Sequence, residues 1–474
     1  MMNVRTIAVL FLGALTTACA VNPATGKREL SLVSESQEIA MGQEGAEETL
    51  RSIPLVPDSA VQRYVRSVAM RLVGVAERPN LPWTFHVLDD AAVNAFAYPG
   101  GFIFITRGIL THMNSEAELA GVLGHEIGHV TARHTASQIS KAQLFTAGLV
   151  VGSVVSSTVA QFAGTAGTGL GLLFMKFGRD AEYQADELGF RYMTRDRYDP
   201  RAMSTMFTML QRQSAFSGYG KLPEWQSTHP DPENRVAKND ERVGAFPGDP
   251  DTLRTIRDGF LHAMDGLIFG EDPRQGFFDG ATFNHPDLKF TMRFPEGWAT
   301  RNQPDAVVAS SPEGDAVGAL NFAAESSTRT ALAAFLGQSG VQTVRQTTSA
   351  VNGLPGAAAE FVAVIDQNRL QGMVQFIEYG GRVYRLLGYT GASTFGRYRN
   401  VLSQYTTSFS RLTDRAALDR QPVHLSLVTL PRSMTIEAFN QAYPSTIEIE
   451  RLAIINGVQL GETMPGGRLV KRVR

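Results

Sequence analysis

Apolar residues recur three and four positions apart along one stretch of the chain, which is the spacing of a single helical face. The residues on this stripe are Leu119, Val122, Leu123, Ile127 and Val130. Ser115 and Glu118 lie just before this stripe and have the spacing of a capping box, which predicts that a helix begins here. Because no proline follows before Lys141, the pattern predicts that this helix extends through His134.

The same periodicity predicts further elements along the chain. The positions Val61, Val65, Val68 and Leu72 have helical spacing. Trp83–Leu88 and Phe102–Thr106 are apolar runs typical of strands, and a turn at Tyr98–Gly101 precedes the second run. Residues 280–412 alternate like strands, with helical stretches near residues 331–335 and 397–409.

The first stripe contains the sequence H-E-x-x-H, formed by His125, Glu126 and His129. Two histidines four residues apart lie on one face of a helix, so their imidazoles can converge on one metal ion, and neutral imidazole suits zinc. Glu126 is then placed to act as general base toward a metal-activated water. An ordinary amphipathic helix with two polar histidines is the alternative.

A third ligand is needed to complete such a site. The metzincin spacing would place the third ligand at residue 135, but this residue is Thr135, so the metzincin arrangement is excluded. His134 lies nearly opposite His125 on the predicted helix, which favours a structural role for His134. Glu182 and Asp186 are four residues apart in a proline-free segment. We therefore expect Glu182 to bind the metal and Asp186 to orient a ligand histidine. A solvated acidic helix face is the alternative.

These motifs make the chain resemble metallopeptidase family 48, a group of zinc gluzincins, and in particular its periplasmic lipoprotein branch. The matching segments are His125–His129, Arg179–Asp186, Asn94–Ala97, Pro99–Gly101, Ser227–Pro230 with Arg235, and Asn22–Lys27. The likeness covers roughly residues 20–270. It implies an α+β fold: a mainly helical zincin metallopeptidase domain with a small sheet.

The resemblance also implies roles for residues outside the metal motif. The implied substrate-binding residues are Asn94, Ala95, Phe96, Gly100 and Gly101. Phe102–Thr106 is expected to be the sheet edge that pairs with an extended substrate, and an interior strand is the alternative. Arg235 is expected to support the metal site together with Asp186. His229 is expected at the open position of the metal, as a cap at rest or as a stabiliser of the tetrahedral intermediate, and we favour the cap. A surface histidine in a turn is the alternative.

Composition, charge and the N-terminal segment indicate which partners and which cellular location to expect. A net charge of −2 gives no reason to expect nucleic acid as a partner. The only cysteine, Cys19, excludes a disulfide framework. Residues 1–18 resemble a bacterial lipoprotein signal, so we expect Cys19 to be lipidated and to anchor the protein to the membrane; a secretory signal with an incidental cysteine is the alternative. By the same resemblance, Ala20 favours the periplasmic side of the outer membrane.

No charged residue occurs between Lys141 and Lys176, and this apolar segment is rich in glycine, serine, threonine and alanine. We favour a mobile apolar hairpin or lid near the cleft for residues 142–175. A transmembrane helix and ordinary packed helices are the alternatives.

We divide the chain into four parts. They are a signal peptide (1–18), the metallopeptidase domain (20–275), an α+β accessory domain (276–418) and a small βααβ module (419–474). The accessory domain resembles PsbP/Mog1-like domains at Phe294–Trp298. The last module resembles a LysM glycan-binding module at Leu452–Asn456, but Pro431–Thr435 departs from the usual opening, so peptidoglycan binding and a packing role both stay open.

Together these features predict a zinc-dependent endopeptidase of the bacterial cell envelope that hydrolyses misfolded or misassembled envelope proteins. The alternative is a chaperone or assembly factor of the outer membrane whose zinc site is latent or structural. The presence of both the ligand residues and a general base favours the enzyme.

Overall fold

The computed structural model describes residues 19–24, 26, 28–146, 177–217, 229, 232–303, 306–365 and 368–474. It divides the chain into two compact units, one of Met1–Gly270 with Val423–Arg474 and one of Glu271–Pro422. Each unit combines helices with β-sheet, as the predicted α+β class requires. The predicted signal, residues 1–18, and most of the uncharged segment, residues 147–175, lie outside the described residues.

The first unit begins with a hairpin and two long helices. The strands β1 (Cys19–Val21) and β2 (Arg28–Leu30) pair antiparallel, and the helices are α1 (Glu35–Ser52) and α2 (Ser59–Val73). Ser34 and Asp58 cap the two helices by accepting hydrogen bonds from backbone N–H groups of the first turn. The predicted apolar stripe of α2 is buried, which confirms the helix.

Three strands form a small sheet beside these helices. They are β3 (Thr84–Leu88), β4 (Ala95–Tyr98) and β5 (Phe102–Thr106), in the order β3-β5-β4. The prediction that Phe102–Thr106 is the sheet edge is wrong, because β5 pairs with β3 on one side and β4 on the other, and all five of its residues are buried. An uninterrupted apolar run is typical of a strand covered on both faces. Among the described residues, β4 is the edge strand on the hairpin side.

Seven α-helices among the described residues follow in this unit. They are α3 (Arg107–His112), α4 (Glu116–Thr131), α5 (His134–Thr146), α6 (Arg179–Arg195), α7 (Arg201–Ser217), α8 (Pro232–Gly244) and α9 (Arg257–Met264). Every residue of α4 is buried, so this helix is central to the unit. No helix among the described residues is both long and apolar enough to cross a bilayer.

The helix α4 begins where its capping residue predicts but ends earlier than expected. Ser115 Oγ accepts the Glu118 N–H at 3.2 Å, which confirms the predicted start. The Glu118 carboxylate accepts the Asn114 N–H instead of completing the box. The prediction of a helix extending through His134 is wrong, because Arg133 adopts φ 59°, and the chain turns a corner between α4 and α5.

The second unit is built on a seven-stranded and a four-stranded antiparallel sheet. In chain order its elements are β6 (Phe277–Asp279), β7 (Thr282–His285), β8 (Phe290–Arg293), β9 (Ala299–Asn302), β10 (Ala306–Ser310), β11 (Ala316–Phe322), α10 (Thr328–Leu336), β12 (Val341–Thr348), β13 (Gly356–Ile365), β14 (Asn368–Tyr379), β15 (Arg382–Gly391), α11 (Phe395–Thr406), β16 (Ser410–Arg411) and α12 (Arg415–Leu418). The large sheet has the order β12-β13-β14-β15-β11-β10-β9, and the small one β16-β8-β7-β6. The strands predicted from alternation between residues 280 and 412 are therefore present.

The last segment returns to the first unit. Its elements are β17 (Leu425–Thr429), β18 (Met434–Thr435), α13 (Ile436–Ala442), α14 (Ile449–Ile455), β19 (Thr463–Met464) and β20 (Leu469–Val473), with β17 and β20 paired antiparallel. Lys471 Nζ donates hydrogen bonds to the carbonyl oxygens of Thr111 and Met113, at 3.1 and 2.7 Å. Ile454 and Leu469 join the core that surrounds α4. The segment therefore contributes to the packing of the first unit.

Candidate metal centre

Two helices are brought unusually close by small residues. A Cβ atom built on Gly124 of α4 would lie 3.1 Å from the Cα of Gly189 on α6, and one built on Gly128 would lie 3.0 Å from the carbonyl oxygen of Ala185. These separations leave no room for larger side chains, so the two helix backbones nearly touch along this glycine seam. The seam sets His125 and His129 of α4 opposite Glu182 of α6.

Four donor atoms meet at this place. His125 Nε2 lies 3.0 Å from His129 Nε2, and His229 Nδ1 lies 3.2 Å from His125 Nε2 and 3.0 Å from Glu182 Oε1. The Glu182 carboxylate oxygens lie 3.5 and 3.4 Å from the ring Nε2 atoms of His125 and His129. All four residues are buried, and their donor atoms all lie within 4.8 Å of one another. The structure thus brings His229 into the donor set together with the three ligands predicted from spacing.

The donor set has the size and chemistry of a metal site. Several pairs of these donor atoms lie 3.0–3.5 Å apart, and no pair in the set exceeds 4.8 Å. Ligand atoms about 2 Å from a small divalent ion in a tetrahedral site lie about 3.3 Å from one another, so the donor set is close to that size. Burial, reinforced by the positive charge of Arg235, lowers the pKa of His125 to about 3 and keeps its imidazole neutral, as a metal ligand must be. The residues present therefore fit a metal ion.

Glu182 is anionic in spite of its burial. Burial alone raises the pKa of its carboxyl group, but the charge of His229, hydrogen bonds from His129 and His229, and the charge of Arg235 outweigh it and hold the pKa well below its usual value. These same contacts leave a carboxylate oxygen directed at the imidazole nitrogens. Glu182 consequently supplies the negative charge of the donor set.

Glu126 lies next to the donor set but is not one of its four residues. Its side chain is 1% exposed, and Oε1 lies 3.6 Å from His229 Nε2. Burial raises the pKa of the Glu126 carboxyl group above its usual range, so this group holds a proton more readily than an exposed glutamate does. Within the described residues Oε1 accepts no hydrogen bond, which leaves it available to a reactant.

A buried ion pair orients the first histidine. His125 Nδ1 donates to Asp186 Oδ1 at 2.9 Å, and Arg235 donates to both Asp186 oxygens at 2.7 and 2.8 Å. Arg235 Nη1 also lies 3.2 Å from Glu182 Oε2. Burial would raise the pKa of Asp186, but Arg235 and the His125 hydrogen bond lower it to about 2. Asp186 and Arg235 thus occupy the supporting positions expected for them and direct His125 Nε2 toward the other donors.

His134 performs the corresponding task for the second histidine. Its Nδ1 lies 2.9 Å from His129 Nδ1, and its Nε2 donates to Gln184 Oε1 at 2.7 Å. If His129 uses Nε2 toward a metal, its Nδ1 carries the proton and donates to His134, whose own proton is then on Nε2. Burial lowers the pKa of His134 to about 3, so it is a neutral acceptor. The ring of Phe177 packs on His129 with centroids 4.1 Å apart.

Sequence reasoning missed this relay because it treated His134 as part of the same helix as His125. The corner at Arg133 turns His134 back onto His129. The structure pairs His134 with Gln184, which lies two residues from the predicted ligand Glu182, and no local sequence pattern predicts this contact.

The predicted substrate residues lie on and around the edge strand β4. Ala95 and Phe96 begin this strand and Asn94 precedes it. Ala95 is fully buried in the core around α4, whereas Phe96 points to the other face and stacks on Phe104 with centroids 5.2 Å apart. Gly100 and Gly101 form the turn after β4, both with positive φ; a Cβ on Gly100 would lie 2.7 Å from the Ile39 Cα. The turn thus requires glycine for backbone reasons.

The segment that contains these residues matches a known protein family. Residues 59–243 match the model of Peptidase family M48. This segment is a domain of peptidase family M48. It contains the four donor residues, Glu126, Asp186 and Arg235, and the match confirms the resemblance carried by the sequence motifs.

Curated proteins that resemble this chain come from bacteria and mitochondria. The beta-barrel assembly-enhancing protease of Escherichia coli strain K12 is 32% identical over 270 residues, which cover 54% of each chain. The mitochondrial metalloendopeptidase OMA1 of Schizosaccharomyces pombe is 31% identical over 232 residues, 46% of this chain and 65% of the relative. The chain spans about half the length of the bacterial relatives it matches. Among solved structures, cyanobacterial PsbP from Synechocystis aligns with 11% identity over 29% of this chain and 95% of that one, with a TM-score of 0.23, which supports no inference about fold.

Proposed function

We propose that this protein is a zinc-dependent endopeptidase of the bacterial cell envelope. The observation that carries the proposal is a buried set of four metal-binding donors with the carboxyl group of Glu126 beside it, inside an M48 domain. Three imidazoles and one carboxylate favour zinc over magnesium or calcium, which prefer oxygen ligands. His125, His129 and Glu182 would hold the ion.

The zinc ion, when bound, lowers the pKa of a water molecule and polarises the scissile carbonyl. Glu126 takes a proton from the attacking water on a carboxylate oxygen and passes it to the nitrogen of the leaving amine. Its burial supports this shuttle, because a carboxyl group with a raised pKa gives and accepts a proton near neutral pH more evenly than an exposed one. Asp186 and His134 keep the two ligand imidazoles in the required tautomers.

His229 is proposed to cap the site at rest. Its Nδ1 is as near to His125 and Glu182 as those ligands are to each other, so it stands where a catalytic site would keep water. A loop residue can leave this position when substrate arrives, whereas a ligand carried by α4 or α6 cannot. The peptidase would then stay latent until a substrate displaces the cap.

The fourth donor also favours a second candidate function. Sites with four protein ligands are commonly structural, and a permanent His229 ligand would leave the zinc without an open position. The protein would then act as a chaperone or assembly factor of the outer membrane. The two functions differ in whether His229 ever leaves the donor set.

The envelope setting rests on the relatives and on Cys19. The bacterial relatives are called beta-barrel assembly-enhancing proteases, which supports misfolded or misassembled envelope proteins as substrates. Lipidation of Cys19 would attach the protein to the periplasmic face of the outer membrane. The strand order of the C-terminal segment, with β17 and β20 paired around two helices, supports a LysM-like module, while the Lys471 contacts support a packing role.

The decisive experiment measures casein cleavage by the purified protein with and without a zinc chelator. We expect chelator-sensitive cleavage that Glu126→Gln lowers at least about 100-fold while the bound zinc is retained. The matched control is Glu187→Gln, which makes the same chemical change on the exposed face of α6. Cleavage that survives full removal of the metal, or Glu126→Gln turnover equal to the control, would refute the enzyme.

A further inference from the structure

The large sheet of the second unit ends in an open edge strand. Among the described residues, β12 has a neighbouring strand on the β13 side and none on the other. Residues 342–348 of this strand are exposed, and Val344 is 55% exposed. An edge strand presents a row of backbone N–H and C=O groups, and these groups can pair with another extended chain.

The hydrogen-bond pattern indicates which backbone groups face this open side. Directly after β12, the Ser349 N–H donates to the Gly356 carbonyl oxygen at 3.1 Å. Successive residues of an antiparallel strand direct their backbone groups alternately toward one side and the other. Thr347 therefore bonds toward β13, whereas Gln346 and Thr348 present their N–H and C=O groups to the open side.

A β-bulge limits the regular part of this edge to its C-terminal half. The register between β12 and β13 shifts between Thr343 and Arg345, so Val344 has no partner residue on β13. A bulge bends the strand and interrupts pairing. The run available to a partner chain is therefore residues 345–348, which span about 13 Å.

The other sheet edges of the second unit are short or covered. Among the described residues, β6 and β16 have three and two residues, and β9 has four. At the end of β9, Asn302 Nδ2 donates to the carbonyl oxygens of Gln275 and Gly276 at 3.1 and 3.0 Å. Edges are commonly protected by prolines, lysines or short length, and β12 contains neither proline nor lysine. The open half of β12 is therefore the edge of this unit that can accept another strand.

The size of this edge favours a substrate strand over a second copy of the protein. Stable protein–protein interfaces use about 20–30 residues on each side, and the regular run 345–348, exposed on both faces, supplies far fewer. A dimer formed through β12 would therefore be weak. A polypeptide that is also held at the metal centre needs only a weak second contact, because both contacts then belong to one complex.

The side chains of the edge indicate which strands fit it. Arg345 carries the only charge in β12 and is exposed, so an acidic residue opposite it is favoured. Proline in the added strand is disfavoured, because it has no N–H group to donate. The other contacts are between backbone groups, which tolerate many sequences.

We propose that residues 345–348 of β12 bind an extended segment of the substrate polypeptide by strand addition. The segment is an unfolded, β-forming stretch without proline, and it carries a carboxylate that meets Arg345. This inference rests on the proposed function, because it describes how an endopeptidase holds a long substrate at a second place in its sequence. Short peptides gain nothing from the edge, so long unfolded chains are the preferred substrates.

The kinetic test compares three fluorogenic substrates that share one cleavable segment. The first is this segment alone. The second adds a flexible Gly/Ser linker of about sixty residues, with a root-mean-square reach of about 40 Å, and a strand-forming tail of threonine, valine and glutamate. The third replaces alternate residues of the tail by proline. We expect the strand-forming tail to lower KM about tenfold with kcat unchanged, and the proline tail to behave like the segment alone.

Two variants of β12 test whether this edge is responsible. Gln346→Pro removes an N–H group on the open side and leaves the bonds to β13 in place, so it should abolish the KM advantage of the strand-forming tail. Arg345→Glu changes an exposed side chain and leaves the backbone intact. It should move the preference from the glutamate tail to a tail in which lysine replaces glutamate.

The matched control is Thr300→Pro on β9. The Gln303 N–H donates to the Ala306 carbonyl oxygen, so by the same alternation the Thr300 N–H faces the open side of β9. This variant should keep the full KM advantage. A wild-type protein without the advantage, or an advantage that persists unchanged in both Gln346→Pro and Arg345→Glu, would overturn the inference. Failure to cleave the segment alone would refute the proposed function instead.

A second measurement does not depend on proteolysis. Fluorescence anisotropy reports binding of the labelled strand-tailed substrate to the full-length Glu126→Gln protein. Adding Gln346→Pro should weaken this binding at least about fivefold, and adding Thr300→Pro should not. Equal binding by both proteins would contradict strand addition at β12. Sedimentation of the wild-type protein as a dimer that Gln346→Pro dissociates would place a second copy at the edge and would also overturn the inference.

Discussion

The relay through His134 leads to a sharp prediction about metal affinity. Replacing His134 by phenylalanine keeps a ring of similar shape but removes the acceptor for the proton on His129 Nδ1, 2.9 Å away. His129 and His134 are 2% and 7% exposed, so water cannot easily replace the lost acceptor. The His129 imidazole would then bind metal at the cost of an unsatisfied buried N–H group.

Two independent estimates give the size of the effect. Leaving one buried donor unsatisfied costs about 1–3 kcal/mol, which corresponds to roughly 5- to 150-fold in metal affinity. Removing the hydrogen-bond partner of a metal-bound histidine typically weakens metal binding about 10- to 100-fold. We therefore expect His134→Phe to raise the dissociation constant for zinc by about 10- to 100-fold.

The assay is a competition titration with a chromophoric zinc chelator, with the melting temperature measured in parallel. His134→Asn retains an acceptor oxygen and should recover most of the affinity. His112→Phe is the matched control, because His112 is another buried histidine, hydrogen-bonded through Nδ1 to the Gly108 carbonyl oxygen and outside the donor set. Zinc affinity of His134→Phe within twofold of wild type, or an equal loss in His112→Phe, would refute the positioning role.

Four further predictions concern the cap, the anchor and the C-terminal segment. His229→Ala should raise basal cleavage of casein and of the protein itself with zinc retained, and a large fall in turnover would instead identify a stabiliser of the tetrahedral intermediate, costing about 100-fold. Cys19→Ser should abolish metabolic labelling with fatty acid, and equal labelling would contradict the anchor. Removing residues 422–474 should reduce co-sedimentation with peptidoglycan, and equal sedimentation would leave only the packing role. Burial lowers the pKa of Lys471 from 10.5 to about 7 despite the nearby Glu118 carboxylate. Between these two pH values the unfolded chain binds one proton more than the folded chain, so the melting temperature should rise with pH. Lys471→Met should flatten this rise, and an unchanged slope of melting temperature against pH would contradict the assignment to Lys471.

The candidate metal ligands on the helices were accessible to sequence reasoning because the spacing within each pair is local. His125 and His129 are one helical turn apart, and Glu182 has Asp186 one turn beyond it, so periodicity alone places each pair on one face. The same reasoning failed at Arg133, where a non-glycine residue adopts positive φ without any compositional signal. A contact with the Val33 carbonyl, a hundred residues away in sequence, helps to hold that corner.

Pairings between distant segments were likewise out of reach. The apolar run Phe102–Thr106 reads equally well as an edge or a central strand, and only its parallel pairing with β3 decides the matter. Periodicity also gave no indication that the last segment packs against the corner after α3. The Lys471 ammonium group meets the Thr111 carbonyl across 360 positions of sequence. Such contacts depend on tertiary packing, which no local pattern encodes.

The glycine seam between α4 and α6 has a consequence for which ion the protein accepts. Because the helices meet backbone to backbone at Gly124, Gly128 and Gly189, main-chain contact fixes the separation of the backbones that carry the donor side chains before any metal arrives. We expect a larger cation such as cadmium to bind less well, because the buried core around α4 resists any movement of the two helices that would widen the site. The glycines of the seam therefore contribute to the expected selection by ionic radius, although none of them can bind the ion through a side chain.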